Sequence, residues 1–158
     1  MTKIEELEAK VKDLQEEIEK LKKEEAKELT WPKYGDTYWS INATGSISSD
    51  TWRGYHSDRG CLSIGNVFHS EEEAEFAWER LKVIAELKKF AEPEDMTWDR
   101  INFHYVLEYD YNTETIYIDW YGVYRNSGIH FESEEKALEA IKAVGSHRII
   151  KYYLGVRE

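Results

Sequence analysis

Two stretches of the chain, FHSEEEA at residues 68–74 and FESEEKA at residues 131–137, share the pattern Phe-x-Ser-Glu-Glu-x-Ala. The serine of this pattern is typical of a helix start, because its hydroxyl accepts a hydrogen bond from a free backbone N–H. The two glutamates then lie in the first turn, where the helix dipole favours negative charge. Since each phenylalanine is expected to end a buried strand, we interpret both stretches as strand-to-helix joints and not as binding motifs.

A β-hairpin pattern precedes each joint, and a helical pattern follows it. The expected hairpins are 38–42 returning at 46–52, and 103–111 returning at 115–123. The predicted helices are 70–91 and 133–144, and a last strand is predicted at 149–154. The expected inward residues are Ala74, Ala77, Leu81, Ile84, Leu87 and Ala91 in the first helix and Ala137, Leu138, Ile141 and Val144 in the second. The predicted class is α+β: an antiparallel sheet with two helices on one face, built from a duplicated ββ(β)α unit.

The N-terminal residues 1–29 carry a heptad pattern that predicts a parallel coiled coil. The seam consists of Ile4, Val11 and Ile18 at the a positions and Leu7, Leu14 and Leu21 at the d positions. β-Branched residues at a with leucine at d favour two parallel strands, so we expect a homo-oligomer. The alternative is an amphipathic helix that folds back on its own domain. Residues 30–35 read as a linker, and 36–158 as one α+β domain with similar halves at 36–91 and 99–158.

Composition limits the cellular compartments and the classes of partner that we expect for this protein. The net charge is −11, which argues against duplex nucleic acid as a partner because phosphate neutralisation dominates that binding. No apolar run approaches the roughly 20 residues that span a bilayer, and the N-terminus has no signal-peptide pattern. The single cysteine, Cys61, is typical of a reducing compartment. We therefore expect a cytoplasmic protein without a membrane partner.

No recognisable catalytic motif occurs. The five histidines have no metal-ligand spacing with each other or with Cys61, and there is no nucleophile elbow or phosphate-binding glycine loop. We expect no enzyme activity, no catalytic residue, no metal and no cofactor.

The chain is rich in aromatic residues, with 6 Trp and 11 Tyr. Residues 52–60 read as a glycine-bounded loop dense in Trp, Tyr, Arg and His, and residues 119–126 correspond to it in the second half. The candidate binding residues are Trp52, Arg53, Tyr55, His56, Arg59, Trp120, Tyr124 and Arg125. Aromatic faces stack on bases and arginine binds phosphate, yet the same residue types anchor protein interfaces and fill β-sheet cores.

Residues 38–41, 64–75, 79–83, 131–137 and 151–156 resemble a group of small phage and prophage proteins of unassigned function. The resemblance implies a phage counter-defence protein, acting in the host cell cytoplasm. One version binds and sequesters a nucleotide immune signal, such as a cyclic nucleotide or an ADP-ribose derivative, without turning it over. The alternative is a direct inhibitor that docks on a host defence protein through its acidic, aromatic surface. A third option is a phage structural or assembly adaptor.

Overall fold

The protein is described by a computed structural model that covers residues 2–28, 31–94, 96, 98, 101–123 and 125–157, with only the backbone of residues 23–28. The elements in chain order are α1 (Lys3–Glu28), β1 (Thr37–Ile41), β2 (Ile47–Thr51), α2 (His56–Ser63), α3 (Glu71–Lys88), β3 (His104–Asp110), β4 (Thr115–Tyr121), α4 (Glu134–Val144), α5 (Ser146–Arg148) and a π-helix (Ile149–Tyr153). The α+β class is confirmed. Instead of one sheet, the described residues form two antiparallel two-stranded sheets, β1–β2 and β3–β4.

The chain divides into two compact units, and the division passes through the first hairpin. One unit holds residues 1–40 and 48–69, and the other holds the hairpin tip, 41–47, together with 70–158. The first unit includes α1, whose six seam residues are 50–67% exposed in the single chain. The coiled coil therefore stays a prediction.

Both joints start helices as the sequence indicates. The Ser70 hydroxyl accepts a hydrogen bond from the backbone N–H of Glu73 (3.2 Å), and the Ser133 hydroxyl accepts one from Lys136 (3.2 Å). The phenylalanine of each joint forms a single antiparallel bridge, Phe68 with Trp39 and Phe131 with Tyr105. The predicted caps are confirmed. Each phenylalanine was expected to end a strand, and it instead pairs through a single bridge.

The core of the second unit lies between α3, α4, β3 and the π-helix. It consists of Val83, Leu87, Leu107, Phe131, Ala137, Ala140, Val144 and Ile149. In β3 and β4, Leu107 pairs with Ile118 and Tyr109 with Ile116, so the aliphatic residues of β4 pack against this core.

Four local predictions are wrong. Residues 56–63 form helix α2 and not a loop, and residues 149–153 form a π-helix and not a strand. Leu81 and Leu138 are exposed, while Val83 and Ala140 take the buried positions on α3 and α4. The predicted inward residues Ala74 and Leu87 of α3 are buried, as are Ala137 and Val144 of α4. The error is confined to part of each face, because a shift of one or two positions along a helix turns a side chain by 100–200°. His130 neighbours the joint phenylalanine Phe131, a position that predicts a side chain on the solvent side of the strand end, but it is buried.

Candidate functional site

The segment predicted as a binding loop, residues 52–59, is organised by the buried carboxylate of Asp58. One carboxylate oxygen accepts the backbone N–H groups of Arg53 (3.0 Å) and Tyr55 (2.9 Å). The other oxygen accepts the hydroxyl of Tyr38 (3.0 Å). Three donors from β1 and the turn thus converge on one acidic side chain at the start of α2. We call this arrangement the Asp58 turn.

The charge of Asp58 is stabilised by its hydrogen bonds. Desolvation by burial, the largest single influence, raises the pKa of this carboxyl, but the backbone N–H groups of Arg53 and Tyr55 and the Tyr38 hydroxyl together lower it below its usual value. Burial, followed by the hydrogen bond to Asp58, raises the pKa of Tyr38 to about 12. Asp58 is therefore an ionised acceptor whose two oxygens are occupied by structural donors.

The Asp58 turn holds five of the predicted site residues in different environments. Trp52 is only 8% exposed, and its ring meets the Tyr38 ring edge-on with centroids 5.8 Å apart. Arg59 donates from its Nε to the carbonyl oxygen of Gly54 (2.9 Å). The other three, Arg53, Tyr55 and His56, are exposed. Trp52 thus offers no open face to a stacked base.

The predicted residues of the second half belong to β4 and the segment after it. Trp120 is 55% exposed and packs edge-on against Phe103, with ring centroids 4.6 Å apart. The guanidinium of Arg125 lies over the ring of Trp98 at 5.4 Å. Tyr124 lies outside the described residues. Among the predicted residues of the second half that the structure describes, Trp120 is therefore the one with a largely exposed indole ring.

A groove that the sequence reasoning missed lies along one face of α3. It has a volume of about 450 Å³. Its lining residues are Ile47 of the hairpin tip, Glu72, Glu75, Phe76, Trp78 and Glu79 of α3, and Lys151 and Tyr152 of the π-helix. Because the α-helix repeats every 3.6 residues, positions 72, 75, 76 and 79 fall on one face. We call this feature the α3 groove.

Backbone geometry fixes the walls of the α3 groove. Gly45 has φ +82°, and a Cβ there would lie 2.5 Å from the ring of Trp78, so glycine lets the hairpin tip approach the indole. The π-helix contributes Tyr152, whose ring is 5.1 Å from that of Phe76. Single π-turns within helices occur frequently at functional sites. The groove is therefore built from three elements that lie apart in sequence.

The α3 groove combines acidic side chains with aromatic rings. Three glutamates and one lysine line it. Glu79 pairs with Lys82, whereas among the residues that the structure describes no ion pair involves Glu72 or Glu75. Carboxylates beside aromatic faces are the groups that bind organic cations in proteins. Chemically, the groove is suited to an ammonium or guanidinium group.

A second unusual feature of the same unit is a buried cluster of two histidines, Glu92 and Trp98. The Nδ1 of His104 lies 2.8 Å from both carboxylate oxygens of Glu92, and its ring stacks on Trp98 with centroids 3.6 Å apart. His130 meets the Trp98 ring edge-on at 4.9 Å. The Nε2 atoms of both histidines are buried without a hydrogen-bond partner among the described residues. Within that part of the chain, no group of three or more His, Cys, Asp or Glu residues is arranged to hold a metal ion.

Burial lowers the pKa of His130 below its ordinary value of 6.5. The nearby carboxylate of Glu92 raises it, while His104 and Arg125 lower it further. The neutral form of His130 is therefore favoured in the folded protein, and this histidine belongs to the interior of the second unit.

No family model, curated protein or solved structure matches the chain. The resemblance to small phage proteins consequently stays a hypothesis. Among the described residues, no helix has the length and apolar content needed to cross a membrane.

Proposed function

We propose that this protein is a non-catalytic binding protein that docks a basic segment of a protein partner in the α3 groove. The observation that carries this proposal is the pair of acidic side chains Glu72 and Glu75, which form no ion pair within the described part of the chain, beside the rings of Phe76 and Tyr152. An open groove lined by aromatic rings suits an extended peptide or a surface loop that presents lysine or arginine.

The charge of the whole chain supports a basic partner. A net charge of −11 attracts cationic surfaces over long distances and accelerates their association. The same charge repels phosphate groups, and the α3 groove adds three carboxylates at the contact. The burial of Trp52 further weakens the case for nucleotide sequestration, since that residue was the expected stacking platform. Direct inhibition of a host defence protein through the acidic, aromatic surface is thus the favoured form of the counter-defence role.

We include the parallel coiled coil of α1 in this proposal. Its six seam residues are exposed in the single chain, and burying one leucine fully stabilises an interface by roughly 1.5–3 kcal/mol. Glu17 would lie near Lys22 of the partner subunit in a parallel pair. Two grooves in one dimer would strengthen binding to a partner with repeated basic segments.

The matched joints also support a duplicated structural unit. In each half a hairpin is followed by a phenylalanine bridged to its first strand and by a serine-capped helix. Of the two serine-capped helices, α3 lines the groove and α4 does not. After a duplication, one copy of the unit would therefore have a binding role and the other a packing role.

The groove is tested by titrating the full chain into a fluorescein-labelled hexa-arginine peptide and measuring fluorescence anisotropy. We expect saturable binding that the double variant E72Q/E75Q weakens by about 2- to 30-fold, from about 0.2–1 kcal/mol for each exposed ion pair. The matched control is E134Q/E135Q, which removes the same charge from the exposed first turn of α4.

Equal losses in the two double variants would contradict a specific site, because net charge alone would then explain binding. A Gly-Ser peptide of equal length should not bind. A parallel thermal-shift panel of cyclic nucleotides and ADP-ribose derivatives tests the sequestration alternative, which a raised melting temperature would favour.

The coiled coil is tested separately by light scattering at micromolar concentration. The intact chain should be at least a dimer, and Leu14→Lys should lower its order because a charge would enter the apolar seam. The surface change Glu16→Lys is the control and should leave the order unchanged. A monomeric intact chain would remove the coil from the proposal and leave the groove untouched.

A further inference from the structure

The aromatic rings of the α3 groove already carry cations from the chain itself. The guanidinium of Arg157 lies 5.5 Å from the centroid of Phe76, and the ammonium of Lys151 lies 5.3 Å from that of Tyr152. Lys82 lies 5.8 Å from the Trp78 ring. Cations within about 6 Å of a ring centroid are attracted by its negative face. The groove therefore binds cationic side chains, and the ones bound in the isolated chain are its own.

The three internal cations are not equally anchored. Lys82 is tied to Glu79 by an ion pair, and the backbone of Lys151 belongs to the π-helix. Arg157 follows that helix, beyond Gly155, and its side chain is exposed. Among the described residues, no hydrogen bond or ion pair holds the Arg157 guanidinium, which lies over the ring of Phe76. Arg157 is thus the cation that can leave most easily.

We propose that Arg157 is an internal competitor for the α3 groove, and that an arginine or lysine side chain of the protein partner takes its place over Phe76. This inference rests on the proposed function of the groove and names the ligand group and its contact. The entering cation would gain what Arg157 lacks, because Glu72 and Glu75 line the same groove and form no ion pair with any residue that the structure describes. The exchange replaces one cation–π contact by a cation–π contact plus an ion pair.

The competition predicts that removing Arg157 tightens binding. In the anisotropy titration with hexa-arginine, Arg157→Ala should lower the Kd about 2- to 5-fold, the factor that corresponds to the loss of one exposed cation–π contact. The control is Arg80→Ala, because Arg80 is an exposed basic residue of α3 that does not line the groove. Both variants remove one positive charge, so a general electrostatic gain appears equally in the two.

A second readout follows the arginine directly. The side-chain Nε–Hε signal of Arg157, assigned by its absence from the Arg157→Ala spectrum, should be shifted by the ring current of Phe76 in the free protein, because the guanidinium lies over that ring. With hexa-arginine this signal should move to the position of a free arginine, in proportion to saturation.

The outcomes separate this inference from the proposed function. One outcome is that the wild type binds, E72Q/E75Q weakens binding, and Arg157→Ala binds hexa-arginine no more tightly than Arg80→Ala. The proposed function of the groove would then be supported, and the role of Arg157 as a competitor would be contradicted. Weaker binding by Arg157→Ala would also overturn it, because Arg157 would then support the groove. If wild type does not bind hexa-arginine at all, both proposals fail together.

Discussion

The Asp58 turn and the α3 groove use the same kinds of residues in opposite ways. In the turn, the carboxylate faces inward, accepts two backbone N–H groups and a tyrosine hydroxyl, and lies beside a tryptophan that is buried. In the groove, carboxylates lie on the exposed face of a helix beside half-buried rings that carry cationic side chains. Density of Trp, Arg and acidic residues therefore does not distinguish a packed turn from a binding surface. The distinction depends on which donors the carboxylates meet.

The largest expected effect tests whether the Asp58 turn is a packed structure. Trp52→Ala should lower the free energy of unfolding by about 3–5 kcal/mol, as for other buried tryptophans. Trp120→Ala is the matched control, because Trp120 is largely exposed and loses little beyond its edge-on contact with Phe103, about 0.5–1.5 kcal/mol. Urea denaturation followed by far-UV circular dichroism measures both. Equal, small losses would mean that Trp52 is free to bind and that the contrast between the two regions is wrong.

A somewhat smaller effect is expected from the carboxylate of the turn itself. Asp58→Ala would leave three donors without their acceptor and should lower the melting temperature by several degrees, with faster amide exchange in α2. The pKa of Asp58 is lowered on folding, so its contribution is full above its ordinary value of 3.8 and is lost as pH falls through the folded pKa. Asp58→Asn should remove that part of the acid dependence. If the wild type and Asp58→Asn lose stability in parallel below pH 4, the carboxylate does not organise the turn.

The two joints provide an internal comparison of about 1 kcal/mol. Ser70→Ala and Ser133→Ala should each destabilise the protein by about this amount, because each removes one helix cap. Neither change should alter the affinity for hexa-arginine once the protein is folded. Should Ser70→Ala abolish binding at an unchanged melting temperature, the first joint would be part of the site and not only a helix start.

The smallest expected effect concerns the buried histidine of the second unit. Folding lowers the pKa of His130, so the neutral form is favoured and its stability contribution is full above pH 6.5. Stability should fall as pH drops below 6.5, because the unfolded chain takes up a proton that the folded chain resists. His130→Phe should flatten the stability profile between pH 7 and 5. This window lies above that of Asp58, so the two units are separable by their acid dependence, and an unchanged profile in the variant would contradict the assignment.

Much of the secondary structure followed from short-range patterns. The caps at Ser70 and Ser133, the end of α4 at Val144 and the turn between β3 and β4 depend on neighbours within a few residues, and all appear where predicted. Helix α2 was missed because its N-cap is Tyr55, which is not one of the short polar residues that mark a helix start; the Asp58 carboxylate accepts the Tyr55 backbone N–H instead. The π-helix was missed because a run of Ile and Tyr has the composition of a strand.

The candidate site was predictable only in part. The spacing of Glu72, Glu75 and Glu79 with Phe76 was visible as one helix face, but the first glutamates of that helix were already explained as cap neighbours. Two further lining residues, Lys151 and Tyr152, lie in the segment predicted as a strand, where the residues alternate between two faces. The groove therefore could not be assembled from the sequence pattern.

The sequence by itself determined the α+β class, the starts of α3 and α4, the heptad pattern of α1 and the acidic charge, because each depends on local propensity, periodicity or composition. Only the tertiary structure decided that Trp52 is buried while the rings of α3 stay accessible, that His130 is interior, and that Arg157 lies over Phe76. These features depend on contacts between residues distant along the chain. The local backbone conformation allows the same side chain either to accept a hydrogen bond from a buried donor or to face solvent, and only the fold selects between the two.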